Sequence, residues 1–172
     1  MGALPDMSVE TALDIVAKLC RWFEGFRAVP YRCPAGYWTI GYGTVYKPGG
    51  IRVTPDHPPI TKAQANEWLL YELRYNYIAG VLRASPRLIN YPRPLAAITD
   101  FAYNLGVPRY RASTLRRRID EEDWGGAIEQ LMRWTRAGGR VLRGLVLRRQ
   151  AEAELIREAN PPVLKVLSGV GL

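Results

Sequence analysis

Among the sixteen acidic residues of this 172-residue chain, Glu24 has a position suited to proton transfer. It follows Cys20 by one helical turn on an apolar-striped segment and directly precedes Gly25, so it sits at a helix C-terminus. The negative end of the helix dipole and the flanking Trp22, Phe23 and Phe26 disfavour a carboxylate there, which suits a general acid. The same position also fits an ordinary exposed Glu before a glycine cap. Downstream, Thr39 has a hydroxyl that can hold a water molecule. Cys33 fits a base, a nucleophile or a small buried residue. Arg32 beside it favours the thiolate, and the Glu24 charge opposes it. The one histidine, His57, excludes a site that needs two.

The elements that must position these groups follow from periodicity and turn chemistry. Val9, Ala12, Leu13, Val16, Leu19, Cys20 and Phe23 recur at helical spacing, which predicts a helix over 9–23 with Ser8 as N-cap. Ala28 to Tyr31 and Tyr37 to Gly43, around the Pro34-Ala35-Gly36 turn, predict a β-hairpin whose wall faces the acid. Pro48 to Pro59 reads as a loop. Thr61-Lys62-Ala63-Gln64 fits a capping box that opens a second helix. Ser85 to Arg93 reads as a connector. Pro94 suits the first position of a third helix closed by Gly106. Short helices are expected over 114–119 and from an Asp123 cap to Trp134, then a break at Gly138-Gly139. A last helix is expected over 142–159, ended by Pro161-Pro162. One small hairpin among several helices implies an α+β fold.

Composition sets the bounds. The chain is 48% hydrophobic and 23% charged, ordinary for a globular domain. It has no apolar run of about 18 residues that could span a membrane. Asp6, Glu10, Asp14 and Lys18 interrupt the first residues, so neither a signal peptide nor a signal anchor is expected. Two cysteines, Cys20 and Cys33, make no disulfide framework, and Cys20 reads as a core thiol rather than a partner for Cys33. The net charge is +8, and most of it lies between residues 109 and 149, a surface that favours polyanions or serves only to solubilise.

The segment WFEGFRAVPYRCPAGYWTIGYGT resembles the catalytic segment of phage-type lysozymes, the endolysin muramidases. Their pattern is Glu, eight residues, Asp or Cys, five residues, Thr. The matching positions are Glu24, Cys33 and Thr39, with Trp38 to Gly43 as the family's hairpin. Ile60-Thr61 with Gln64-Ala65 resembles the start of the interlobe helix, and Asp100 to Gly106 resembles the cleft helix. Ser113-Thr114-Leu115, Trp134 to Gly139, Gly144-Leu145 and Arg148 to Glu152 also match, so the likeness covers roughly residues 12 to 157. It implies a single lysozyme-like domain. A β-hairpin lobe of about 25–60 and a helical lobe of 1–24 and 61–160 flank a cleft, and 161–172 form a tail. Tyr42, Val45, Tyr103, Asn104, Thr114 and Trp134 fall where the family contacts sugar, and Arg140 takes the place of the Arg that steadies the catalytic Glu. Two departures stand out: Cys33 replaces the commoner Asp, and Thr44 stands where His is frequent.

The resemblance implies hydrolysis of the β-1,4 bond between N-acetylmuramic acid and N-acetylglucosamine in peptidoglycan, leading to lysis of the host cell. Glu24 is then the general acid, and Cys33 and Thr39 orient or activate water. No metal or cofactor is implied. A monomer is expected to wait in the host cytoplasm until a separate holin permeabilises the membrane, and then to meet the glycan strands and the anionic envelope. Two other readings remain. One is a basic nucleic-acid-binding module using Arg116, Arg117, Arg118 and the last helix; it leaves the hairpin unexplained. The other is a lysozyme-like wall-binding protein without catalysis.

Overall fold

The computed structural model describes residues 4–159, with side chains from residue 7 onward. The chain runs α1 (Leu4–Glu24), β1 (Arg27–Arg32), β2 (Trp38–Gly41), β3 (Tyr46–Lys47), β4 (Ile51–Arg52) and α2 (Lys62–Glu72). A π-helical turn (Leu73–Ile78), α3 (Ala79–Ala84) and a 3-10 turn (Pro86–Asn90) lead to α4 (Pro92–Leu105). Then come α5 (Val107–Arg111), α6 (Thr114–Asp120), α7 (Trp124–Leu131), β5 (Arg136–Ala137), β6 (Arg140–Val141) and α8 (Arg143–Arg157). The fold is α+β and lysozyme-like. Its strands form three separate two-stranded antiparallel hairpins.

Helix α4 is the centre of the core, because every residue from Pro94 to Ala102 is buried. The stripe Ala12, Leu13, Val16, Ala17 and Cys20 of α1 packs on one side of it, and α8 packs on another. Helix α1 begins at Leu4, so Ser8 lies inside the helix rather than at its N-cap. A capping preference of about 1 kcal/mol does not stop a helix whose upstream backbone can remain helical. Gly25 follows Glu24 with φ +69, and its N–H bonds the Arg21 carbonyl at 3.3 Å.

In the first hairpin Tyr31 faces Thr39 and Arg32 faces Trp38, with an irregularity between Arg27 and Tyr31. The second strand stops at Gly41 instead of running on to Gly43. Residues 41–43 form a tight turn in which Ile40 and Thr44 exchange hydrogen bonds of 3.0 and 2.9 Å. Glycine suits position 41 because its φ is +67 and α2 comes close: a Cβ there would meet the Ala65 Cβ at 3.1 Å. The expected loop from Pro48 contains strand β4, which pairs with β3 around Gly49-Gly50.

The Thr61 capping box forms as expected. Thr61 Oγ1 accepts from the Gln64 N–H, and Gln64 Oε1 accepts from the Thr61 N–H, both at 3.1 Å. Helix α4 starts at Pro92 rather than Pro94, and Gly106 closes it at φ +96. Helix α5 was not legible in the sequence. Ser113 and Asp123 cap α6 and α7 through the N–H groups of Arg116 and Gly126. Gly138-Gly139 form the turn of the β5–β6 hairpin rather than a simple break. The Pro161-Pro162 stop and the 161–172 tail lie outside the described residues.

Candidate active site

Glu24 is the last residue of α1, where its side chain meets α8. Arg148 Nη1 donates to Glu24 Oε1 at 2.6 Å. The same guanidinium grips Asp100 of α4 with two parallel hydrogen bonds, Nε to Oδ2 at 2.8 Å and Nη2 to Oδ1 at 2.9 Å. Paired forks of this kind fix direction as well as distance. Arg148 also lies 5.3 Å above the Phe23 ring. Arg148 and Asp100 are buried, while Glu24 keeps about a quarter of its side chain exposed. The acid therefore faces solvent from a rigid, dry support.

The charges behind this support are matched. Burial alone would raise the Asp100 carboxyl, but the charge and hydrogen bonds of Arg148 outweigh it and hold the group below its ordinary range. Burial would lower Arg148, and Asp100 with Glu24 more than offsets that, so the guanidinium stays charged. The Cys20 thiol is pushed up by burial and by Asp100, to which it donates at 3.4 Å. Cys20 is thus a neutral core thiol, and both cysteines are free. Glu152 is fully buried with Arg149 at 2.6 Å, and burial followed by the Asp100 charge pushes its carboxyl above the ordinary range.

Opposite Glu24 stands the tight turn. A Cβ on Gly43, whose φ is +100, would meet Tyr103 Oη at 3.3 Å and Glu24 Oε2 at 3.7 Å. The positive φ favours glycine there, and a side chain would press on the Tyr103 hydroxyl. Tyr103 donates to the Tyr42 carbonyl at 2.8 Å, tying α4 to the turn. Tyr31 of β1 also lies near: burial first, and then the Glu24 charge, raise its hydroxyl above the ordinary value.

Thr39 is buried opposite Tyr31 and donates to the Tyr37 carbonyl at 3.1 Å. Cys33 occupies the hairpin turn, and its N–H donates to the Tyr37 carbonyl at 3.0 Å. Desolvation acts to raise the Cys33 thiol, but it is outweighed. The backbone amides of Tyr37, Ala35 and Gly36 lower it. Arg32 is instead stacked 5.3 Å over the Trp38 ring.

The remaining sequence candidates separate. Tyr42 packs its ring 5.7 Å from Phe26, and the Val45 carbonyl accepts from Val53 at 2.9 Å. Asn104 Oδ1 accepts from Arg149 at 3.2 Å. Thr114 is engaged by Arg117 at 3.0 Å, and Trp134 stands edge-on to Phe101 at 5.4 Å. Arg140 is exposed in β6, and the guanidinium that holds Glu24 is Arg148, not Arg140. The two glycines before Arg140 make a hairpin turn, which carries it out to solvent. Trp22 likewise points outward, 82% exposed, and does not desolvate Glu24. Sequence reasoning quoted Asp100 and Arg148 without giving them a role. The available signal was an Asp in an otherwise apolar helix and an Arg pair in a helix that packs on it.

The family model for phage lysozyme matches residues 21–152. The SAR-endolysin of Enterobacteria phage P21 is 35% identical over 135 residues, covering 77% of this chain and 76% of that protein. The endolysin of Acyrthosiphon pisum secondary endosymbiont phage 1 is 31% identical over 145 residues, covering 82% and 94%. Among solved structures, the endolysin from Escherichia coli O157:H7 phage FAHEc1 superposes with a TM-score of 0.70 at 27% identity, covering 87% of this chain and 92% of that one. A helix-end carboxylate held by a buried guanidinium, set against a glycine turn, stands inside the matched region. The chain belongs to the phage lysozyme family, glycoside hydrolases that act on peptidoglycan.

Proposed function

We propose that this endolysin cleaves the β-1,4 bond between N-acetylmuramic acid and N-acetylglucosamine, with Glu24 as the proton donor to the leaving oxygen. The observation that carries the reading is the fixed direction of Glu24. Arg148 takes Oε1 at 2.6 Å, which leaves Oε2 on the side of the Gly43 turn. A general acid needs placement as much as acidity. Cys33 and Thr39 serve the water. As the thiolate, Cys33 accepts a proton from the water as the water attacks, and the Thr39 hydroxyl oxygen, whose own proton goes to the Tyr37 carbonyl, accepts the water's other proton and holds it in line. The step is then a single displacement with inversion, as in glycosidases that leave room for water between their two groups.

The chain acts as one lysozyme-like domain and as a monomer, with Tyr42, Val45, Tyr103, Asn104, Thr114 and Trp134 along the path of the glycan. Release to the wall, and so lysis of the host, depends on a separate holin. The apolar face of α1 packs against α4. No helix among the described residues is long and apolar enough to cross a membrane.

Purified Glu24→Gln is expected to fold as the parent and to lose on the order of 10²–10⁴-fold in clearing of permeabilised Gram-negative cells. Clearing near the parental rate removes Glu24 from the mechanism. Mass spectrometry of digests should find products ending in reducing muramic acid. NMR of the first-formed sugar should show the α anomer, and a β anomer or a glycosyl–sulfur adduct at Cys33 overturns inversion.

A further inference from the structure

Arg149 of α8 is fully buried, as is Glu152 one turn further on, and packing alone calls for neither. A buried ion pair is often no more stable than apolar residues of the same volume. This guanidinium even leaves Nε and Nη1 without a hydrogen-bond partner among the described residues. What it does bond is specific. Arg149 Nη2 donates to Glu152 Oε1 at 2.6 Å and to Asn104 Oδ1 at 3.2 Å. One nitrogen thus spends one hydrogen on each, and the Phe101 ring, 5.0 Å from the guanidinium carbon, backs the plane.

The contact fixes the polarity of the Asn104 amide. An arginine carries only donors, so the atom that meets Nη2 must be the amide oxygen. The oxygen is held inward, and the amide nitrogen takes the other branch of the side chain. Asn104 is half-buried, and its Nδ2 has no hydrogen-bond partner among the described residues and is not sealed from solvent. Asp100, Tyr103 and Asn104 stand at i, i+3 and i+4 of α4, on one face of the helix. The first is joined to Glu24 through Arg148. The second donates to the Tyr42 carbonyl in the turn beside Glu24. The Asn104 donor therefore stands on the face of α4 that looks toward the acid.

We infer that Asn104 donates an amide hydrogen to an acetamido carbonyl of the glycan, and that Arg149, backed by Glu152, is the positioning residue that fixes this polarity. A sugar hydroxyl can donate or accept, so a fixed donor has no advantage over a fixed acceptor against it. An acetamido carbonyl only accepts, and each sugar of the proposed strand carries one. Loss of the acetyl group leaves an amine which, once protonated, only donates and so confronts the Asn104 donor. The choice of an acetylated sugar rests on the proposed glycosidase reading; the polarity of the amide does not.

The test compares cleavage of purified peptidoglycan with cleavage of the same material after partial de-N-acetylation, read as new reducing ends. The parent should prefer the acetylated form. In Asn104→Asp, Arg149 still holds one oxygen and the other takes the place of the donor, so roughly 10-fold of that preference should be lost. Arg149→Met frees the amide to turn and should lose several-fold. A merely structural role for Arg149 lowers cleavage of both substrates alike. An unchanged preference in folded Arg149→Met, or in Asn104→Asp, therefore overturns the inference. If Arg149→Met is poorly folded, NMR of the full-length parent decides. Its Asn104 Nδ2 hydrogens should shift with a glycan tetramer of alternating N-acetylglucosamine and N-acetylmuramic acid and not with the de-N-acetylated tetramer; equal response to both overturns the inference. A selective shift without any cleavage by the parent would refute the glycosidase reading and leave the amide site standing, while cleavage without that shift refutes the site alone.

Discussion

At the scale of single residues, the site depends on which polar groups have partners. Arg148 satisfies Asp100 and Glu24 together, so the buried charges behind the acid are compensated and its direction is set by a planar fork. The backbone amides of the hairpin turn hold the Cys33 thiol below its ordinary range. Cys33→Asp is expected to keep substantial clearing activity, because Asp presents an anion at the same turn position. Cys33→Ala should be much weaker, and Thr39→Ala weaker too; parental clearing by Cys33→Ala would remove the thiol from the mechanism. Glu72 is the contrary case, a carboxyl raised by burial from 4.5 to about 7. Between those values the folded chain binds more protons than the unfolded chain. Stability is therefore greatest below about pH 4.5 for this group and falls as pH rises through 7, by about 3 kcal/mol in all. Glu72→Gln should lack this fall. Urea unfolding near pH 5 and near pH 8 checks it: the parent should lose more stability over that interval than the variant.

At the scale of elements, glycine turns and helix ends deliver these side chains. The end of α1 at Gly25 makes Glu24 the last residue of a helix, and the 41–43 turn brings bare backbone against it. Gly43→Ala is expected to fold with a small loss of stability and to lose most of its clearing activity. A Cβ at φ +100 is strained, presses on the Tyr103 hydroxyl and comes into contact with Glu24. A variant as active as the parent would show that the approach of Gly43 to Glu24 is not needed. The helix signals were legible: the Thr61 capping box, the Asp123 cap and the Gly106 stop all stand where their residue types place them. The start of α1 was not, because Ser8 serves equally well inside a helix when upstream residues extend it. The β3–β4 and β5–β6 hairpins were missed because two-residue strands leave no alternating pattern to read.

At the scale of the molecule, the +8 charge gives the chain a long-range attraction to anionic surfaces. Such attraction is screened within about 8 Å at physiological salt. Clearing of permeabilised cells is therefore expected to fall as salt is raised, while hydrolysis of a small neutral glycan oligomer stays nearly constant. A parallel fall in both would place the salt effect in the site rather than on the surface. DNA retention that persists together with an absence of clearing would favour the nucleic-acid reading instead.

The sequence by itself determined the α+β class, the hairpin after the first helix and the Glu24, Cys33 and Thr39 spacing, because these depend on local periodicity, turn residues and short intervals along the chain. Only the tertiary structure decided what stands behind Glu24. Asp100 and Arg148 are 48 positions apart, and Arg148 is 124 positions from Glu24, so no local pattern links them. Arg140 and Arg148 share one residue type in one stretch of chain. The β5–β6 turn carries the first into solvent, and the packing of α8 on α4 brings the second under the acid. That choice is made by which face of α8 is buried against α4. It rests on the mutual fit of whole elements and not on the residues next to either arginine.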